Sequence, residues 1–251
     1  MPTWLQAGLW GLLGGGALVL GALVAWFVRV PQTVIASVMA FGSGVLISAV
    51  AFDLMAEAAD TGGLTATAIG FVGGALAYLG ANALLARRGA RHRKRSGDQQ
   101  PSEDEQAGSG AAIAVGALLD GVPESVVLGL GLLTGGGVSL SVLAAVFISN
   151  VPEGLSSAAG MKRNGRSARY VFGVWGGIAV ASGLAALVGY AALGSAPPAV
   201  VAVITAVAAG AILTMIADTM IPEAIERTRT WTGLITTAGV LVAFAIERLG
   251  A

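Results

Sequence analysis

The chain has 251 residues, of which 55% are hydrophobic and only 11% are charged; its formal net charge is zero and it contains no cysteine. Because soluble domains carry about 25% charged residues, this composition is typical of a polytopic membrane protein. The neutral charge excludes the basic footprint of a nucleic-acid-binding protein, and the missing cysteines exclude disulfides and thiolate metal sites.

The apolar runs predict an all-α fold with eight transmembrane helices in one domain, residues 1–251. The predicted spans are residues 5–28, 34–58, 64–86, 111–134, 138–160, 171–193, 199–221 and 231–246. The first run lacks the basic flank of a cleavable signal peptide, so we expect a retained span. Residues 87–110 are almost entirely polar and predict a flexible cytoplasmic loop. Three glycines at 135–137 predict a tight reversal between the fourth and fifth spans.

The positions of the basic residues favour this count. With eight spans, the loops after spans one, three, five and seven share one side of the membrane, and they hold 13 of the 14 Lys and Arg residues. The positive-inside rule makes that side cytoplasmic and puts both termini outside. We expect a bacterial inner membrane, with lipid as the surrounding partner and no nucleic-acid partner, and a homodimer remains open.

Two matched motifs lie in the middle of the fourth and fifth spans. Residues 120–125 read Asp-Gly-Val-Pro-Glu-Ser, and residues 149–154 read Ser-Asn-Val-Pro-Glu-Gly. A carboxylate at such a depth costs about 2.5–3.5 kcal/mol even on insertion scales. Each proline frees a backbone carbonyl, and residues three or four apart share a helix face. These features predict a cation site whose ligands are Asp120, Glu124, Asn150 and Glu153.

A simpler interpretation of the two motifs stays open. Each Pro-Glu pair would then mark only a helix kink, with its carboxyl group protonated or bonded to a neighbouring hydroxyl such as Ser125 or Ser149.

Acidic residues also end the second and seventh spans. They are Asp53 and Glu57 in the second span, and Asp218 and Glu223 in the seventh. The topology puts these pairs near opposite faces, as in an inverted-repeat transporter, and with the central motifs they predict a cation path. These four acids would otherwise simply face interfacial water. His92, the only histidine, is expected to be solvated in the charged loop.

The order of spans and motifs resembles the ZIP (Zrt/Irt-like) divalent metal transporters along nearly the whole chain. The residues that carry the resemblance are Val122-Pro123-Glu124, Asn-Val-Pro-Glu-Gly-Leu at 150–155, Ser182-Gly183-Leu184 and Pro222-Glu223-Ala224. The resemblance implies a ZIP-like inverted repeat and a transported divalent metal ion, zinc or alternatively manganese, iron or cadmium. It also implies metal binding at the matched positions Glu124, Asn150 and Glu153.

The chain departs from the family pattern at several positions. Asp120 stands where the family has His, Gly121 where it has Asn, and Ala185 and Ala186 where many members have an acid. The predicted ligand set is therefore all oxygen, which suits Mg, Ca and Mn better than a histidine site would. Losing the acid in the sixth span favours one metal ion over two.

These observations predict a secondary transporter that moves divalent cations inward, and no enzyme. The sequence contains no Walker-type Gly-Lys-Thr stretch, so we do not expect an ATP-driven pump. One alternative is a transport-inactive ZIP-like protein with a regulatory or binding role. A second alternative is an intramembrane hydrolase that pairs Asp53 with Asp218, which the predicted topology puts on opposite sides of the membrane.

Overall fold

The computed structural model describes residues 1–94, 100, 105, 108–133 and 140–250, without the side chains of residues 140, 141 and 250. Within these ranges the protein is all-helical, as predicted. The α-helices are α1 (Thr3–Phe27), α2 (Gln32–Ser48), α3 (Met55–Ala86), α4 (Ser109–Leu130), α5 (Leu140–Arg163), α6 (Ala168–Leu193), α7 (Pro198–Met215), α8 (Ile221–Thr228) and α9 (Thr232–Gly250).

Six helical runs in the described residues are long and apolar enough to cross a membrane. Two of them, Gln32–Ala86 and Pro198–Leu249, contain 55 and 52 residues. A straight helix of that length would measure about 80 Å, whereas the hydrocarbon core is about 30 Å thick. Both runs are interrupted, at Gly63 (φ 77°, ψ 161°) and at Arg229 (φ 47°, ψ −118°). The protein has the helices of an integral membrane protein, and the count of eight spans stays a prediction.

Two short π-helical segments lie inside the longer runs. Ala49–Leu54 joins α2 to α3 and contains Asp53, and Ile216–Met220 joins α7 to α8 and contains Asp218. A π-helical turn accommodates one residue more than an α-helical turn does. The chain therefore changes its helical phase at both of the outlying acidic clusters.

Close helix packing fixes α5, which carries the second central motif. Gly21 of α1 faces the backbone of Val151, and Gly154 of α5 faces the backbone of Leu18. A Cβ atom on either glycine would collide with the facing carbonyl oxygen, so only glycine permits this approach. Small residues allow membrane helices to pack in this way. The α1–α5 contact thereby fixes the part of α5 that carries Asn150 and Glu153.

Several described residues of the segment 87–110, for which the sequence predicts a flexible loop, are helical or buried. A short 3-10 helix at Ala90–His92 is followed by Arg93 and Lys94, which are buried, and Gln100 is buried as well. The physical reason is that buried carboxylates of α4 and α5 attract these two cations. The predicted glycine reversal at 135–137 lies outside the described residues.

Candidate cation site

The four predicted ligands lie on two helices. Asp120 and Glu124 are one turn apart on α4, and Asn150 and Glu153 are three residues apart on α5. All four are buried, with at most 4% of each residue exposed. Pro123 and Pro152 lie inside these helices, beside the two glutamates. The structure therefore brings three carboxyl groups and one amide into the interior of the helix bundle.

Asp120 is fully engaged by side chains from two other elements. The Arg93 Nε and Nη2 atoms donate to Asp120 Oδ2 and Oδ1, each at 2.8 Å, and the Tyr78 hydroxyl donates to Oδ1 at 2.5 Å. The same guanidinium donates from Nη1 to Asn82 Oδ1 at 2.8 Å and from Nη2 to the Tyr78 hydroxyl at 2.9 Å. Such a two-pronged pairing of guanidinium and carboxylate is the strongest form of buried ion pair.

Lys94 bridges the two helices that carry the motifs. Its Nζ lies 2.8 Å from Glu153 Oε1 on α5 and 3.4 Å from Asp120 Oδ2 on α4. These are ion-pair distances, although the geometry at Nζ is not that of a directed hydrogen bond. The ammonium therefore lies between the carboxylates that the sequence predicts as cation ligands.

Glu124 differs from its two acidic neighbours. Both of its carboxyl oxygens are buried, and neither has a hydrogen-bond partner among the described residues. Asn150 lies beside it and donates its amide to the Gly14 carbonyl at 3.0 Å. A buried carboxyl that accepts no hydrogen bond is costly, so this group has unused capacity to bind a cation.

The backbone of the Arg93–Lys94 segment is held as well as its side chains. Gln100 donates from Nε2 to the carbonyls of Arg93, at 3.0 Å, and Ser157, at 3.1 Å. The Ser156 hydroxyl bonds to the Lys94 carbonyl and lies 3.1 Å from Glu223 Oε1. These contacts dock the segment onto α5, next to Glu153.

Gly116 of α4 makes room for the docked segment. A Cβ atom at this position would lie 2.5 Å from Arg93 Cδ and 3.0 Å from its Nε. Any larger residue must therefore push the guanidinium away from its place beside Asp120.

The charge of Arg93 is secured by its surroundings. Burial alone would lower the pKa of this guanidinium, but the Asp120 carboxylate that it bonds raises the pKa above its ordinary value. Arg93 is therefore a permanent positive charge in the interior of the protein.

The remaining predicted acids fall into separate environments. Asp53 and Glu57, with Asp60, line a cavity of about 540 Å³ beside the end of α4 that is remote from Arg93. None of the described side chains that line this cavity is basic. Glu223 is buried next to Ser156, on the same side of the cluster as Lys94. Asp218 is exposed.

Sequence reasoning missed the basic part of this cluster. Nothing distinguishes Arg93 and Lys94 from the other Lys and Arg residues between 87 and 95, which read together as a solvated run. Charge balance could have indicated them, because three carboxylates in the middle of apolar helices require compensating cations, which basic residues of the same chain can supply. Within the described ranges, no group of three or more His, Cys, Asp or Glu residues is arranged to hold a metal ion in this conformation.

A scan against protein-family models and a search of the curated proteins both find no match for this chain.

Proposed function

We propose that the protein is a secondary transporter that carries divalent cations across the membrane toward the cytoplasm. The observation that carries this proposal is Glu124, whose two buried carboxyl oxygens accept no hydrogen bond from the part of the chain that the structure describes, although it lies among other acids. A carboxyl group in this position gains most from a cation that enters the cluster.

The ligands that suit a cation are those that protein groups do not already saturate. Glu124 and Glu153 supply carboxylate oxygens, and Asn150, which lies beside Glu124, would add the oxygen of its side-chain amide. Asp120 is less available because Arg93 and Tyr78 bond both of its oxygens. An all-oxygen set of this kind fits manganese and related hard ions, while the resemblance to ZIP transporters favours zinc, with iron and cadmium as further candidates.

Acidic groups on both sides of the cluster support transport rather than storage. The acidic cavity at Asp53 and Glu57 would gather cations at the outer face, and Glu223 would receive them on the cytoplasmic side. In the proposed topology, eight spans with both termini outside surround this path, and access alternates by movement of one helix group against another.

Uptake into proteoliposomes tests the proposal. We expect inward movement of Mn²⁺, Zn²⁺, Cd²⁺ or Fe²⁺ for the wild-type protein and loss of that movement in the double variant Glu124→Ala/Glu153→Ala. Glu226→Ala, which removes an exposed acid of α8, is the control and should transport normally. A wild-type protein that moves none of these ions, and does not bind them in calorimetry, would refute the proposal.

One observation favours a second candidate function. Because Arg93 and Lys94 already compensate two of the three central carboxylates, the cluster also fits a ZIP-like protein that no longer transports and acts as a regulator or binding partner. In that case the ion pairs are permanent, and removing Lys94 yields no cation binding. The same calorimetry on Lys94→Met separates the two functions.

A further inference from the structure

We propose that Lys94 is a tethered cation that occupies the transport site, and that the segment Ala90–Lys94 must withdraw before a divalent cation can bind Glu124 and Glu153. This inference rests on the proposed function, since it names the regulation of the same site.

The positions of Lys94 and of a transported ion exclude each other. Lys94 Nζ lies 2.8 Å from Glu153 Oε1, the oxygen that would also bind an incoming cation. A divalent ion on that oxygen would be in direct contact with the ammonium, and two cations so close in a buried site repel strongly. The docked conformation is therefore the cation-free, closed form of the protein.

The segment is built to dock at this place. Arg93 anchors it through Asp120, Tyr78 and Asn82, and Gln100 and Ser156 hold its backbone carbonyls. Asp120 thus acts as a docking residue for the segment rather than as a ligand of the transported ion. Gly116 leaves the space that the Arg93 side chain needs.

The segment also closes one side of the site. It contacts α4 at Gly116 and α5 at Ser156, whereas the acidic cavity lies at the other end of α4, near Val127–Gly131. Cations arriving from that cavity would meet Lys94 at the cluster, and Glu223 lies behind the docked backbone, next to Ser156. Withdrawal of one short segment would vacate the site and open the route past Glu223 together.

The first experiment removes the tethered charge. Lys94→Met keeps most of the side-chain length but not the charge, and Arg91→Met changes an exposed basic residue of the same segment as a control. We expect Lys94→Met to bind Mn²⁺ at least ~10-fold more tightly in calorimetry, because an apparent dissociation constant scales inversely with the open fraction. Arg91→Met should bind as the wild type does. Equal affinity in Lys94→Met and the wild type would overturn the inference.

The second measurement reports the segment itself. Since the chain has no cysteine, the single substitution Ser157→Cys provides a unique thiol on α5. The position is 1% exposed, and its backbone carbonyl accepts a hydrogen bond from Gln100. Maleimide should label this thiol slowly in the parent protein. Adding Mn²⁺, or adding Lys94→Met, should raise the labelling rate at least ~10-fold. A rate that neither change affects would overturn the inference.

A steric variant covers the case in which Lys94→Met does not fold. Gly116→Ala pushes Arg93 aside but keeps every charge, and Gly80→Ala on α3, where a Cβ would meet nothing within 4 Å, is its control. Gly116→Ala should raise both Mn²⁺ affinity and Ser157→Cys labelling, and Gly80→Ala neither. If Gly116→Ala leaves both unchanged, Arg93 does not hold the segment closed and the inference is wrong.

Failure of the proposed function is distinguishable from failure of this inference. A wild-type protein that transports nothing, while Lys94→Met binds Mn²⁺, supports the tethered cation and refutes transport by the wild type. A wild-type protein that transports, while Lys94→Met is unchanged in affinity and labelling, supports transport and refutes the tethered cation.

Discussion

The carboxylates in the two acidic regions of the molecule are stabilised in opposite ways. The central cluster of Asp120, Glu124 and Glu153 is almost completely buried and contains two basic side chains from the segment before α4. The outlying cavity has Asp53, Glu57 and Asp60 on its walls but no basic residue among its described lining. Because the cavity acids are partly exposed, water can stabilise their charges, whereas the central carboxylates depend on cations that the chain supplies.

The two regions differ in what a substitution leaves behind. In the cavity, a carboxylate can be replaced without leaving another charge unpaired. In the central cluster, removing a cation leaves a buried anion without compensation. Stability and cation binding should therefore respond very differently to substitutions in the two regions.

The largest effect is expected for Arg93→Met. It leaves Asp120 buried without its main partner, and breaking one side of a buried ion pair typically costs about 3–5 kcal/mol. Thermal unfolding of the detergent-solubilised protein should show this loss. Because an apolar replacement of both partners is often tolerated, Arg93→Met/Asp120→Leu should recover most of the stability. A loss below about 1 kcal/mol in Arg93→Met would show that the pair is not buried as described.

A smaller loss is expected for Gly116→Ala. The added methyl group meets Arg93 Cδ at 2.5 Å, and such overpacking typically costs about 1–3 kcal/mol. Gly80→Ala faces open space in the same fold and should be neutral or slightly stabilising, since alanine favours the helix. The same unfolding assay compares the two, and equal stability of both variants would contradict the tight contact.

In the cavity, Glu57→Gln should change the unfolding free energy by less than about 0.5 kcal/mol, because the side chain is partly exposed and forms no ion pair with the described residues that line the cavity. Its effect should appear in cation uptake instead. Removing one negative charge from the cavity weakens the attraction of cations, so the apparent affinity should fall a few-fold at low ionic strength and less at high salt. A large loss of stability, or an effect independent of salt, would place Glu57 with the central cluster.

The smallest effect is expected from pH on the Arg93 contribution. A raised pKa in the folded state means that the stabilisation is present below the unfolded pKa and is lost only as the pH rises past the folded value. Since arginine already titrates above about 12, the cost of Arg93→Met should be the same at pH 6 and pH 9. Unfolding measured at both values tests this, and a cost that shrinks at pH 9 would contradict the assignment.

The sequence predicted the helices and the two central motifs because these depend on local patterns. Apolar runs define the helices, and a proline beside a carboxylate in the middle of such a run is visible without any tertiary information. The pairing of Asp120 with Arg93 was not predictable in this way. The two residues are 27 positions apart, and a basic residue in a polar segment has the same local pattern whether water or a carboxylate satisfies it.

The environments of the outlying acids show the same limit. Asp53 and Asp218 have similar neighbours in sequence, yet Asp53 lines a cavity while Asp218 is exposed. Helix packing decides this difference. Each π-helical segment also changes the helical phase, so the direction in which its acid points does not follow from the apolar pattern of the preceding helix.

That phase change makes the π-helical geometry of the segment Ala49–Leu54 the feature that sets the direction of its acids. One residue in it is surplus to an α-helix, and each residue of an α-helix turns the chain by about 100°. If this segment closed as a regular α-helix with all its residues, Asp53 and Glu57 would rotate by about that angle relative to the buried face of α2. No single side-chain exchange at these positions could disturb the register so far. The extra residue of the π-helical segment therefore sets the direction of Asp53 and Glu57 relative to the buried apolar face of α2.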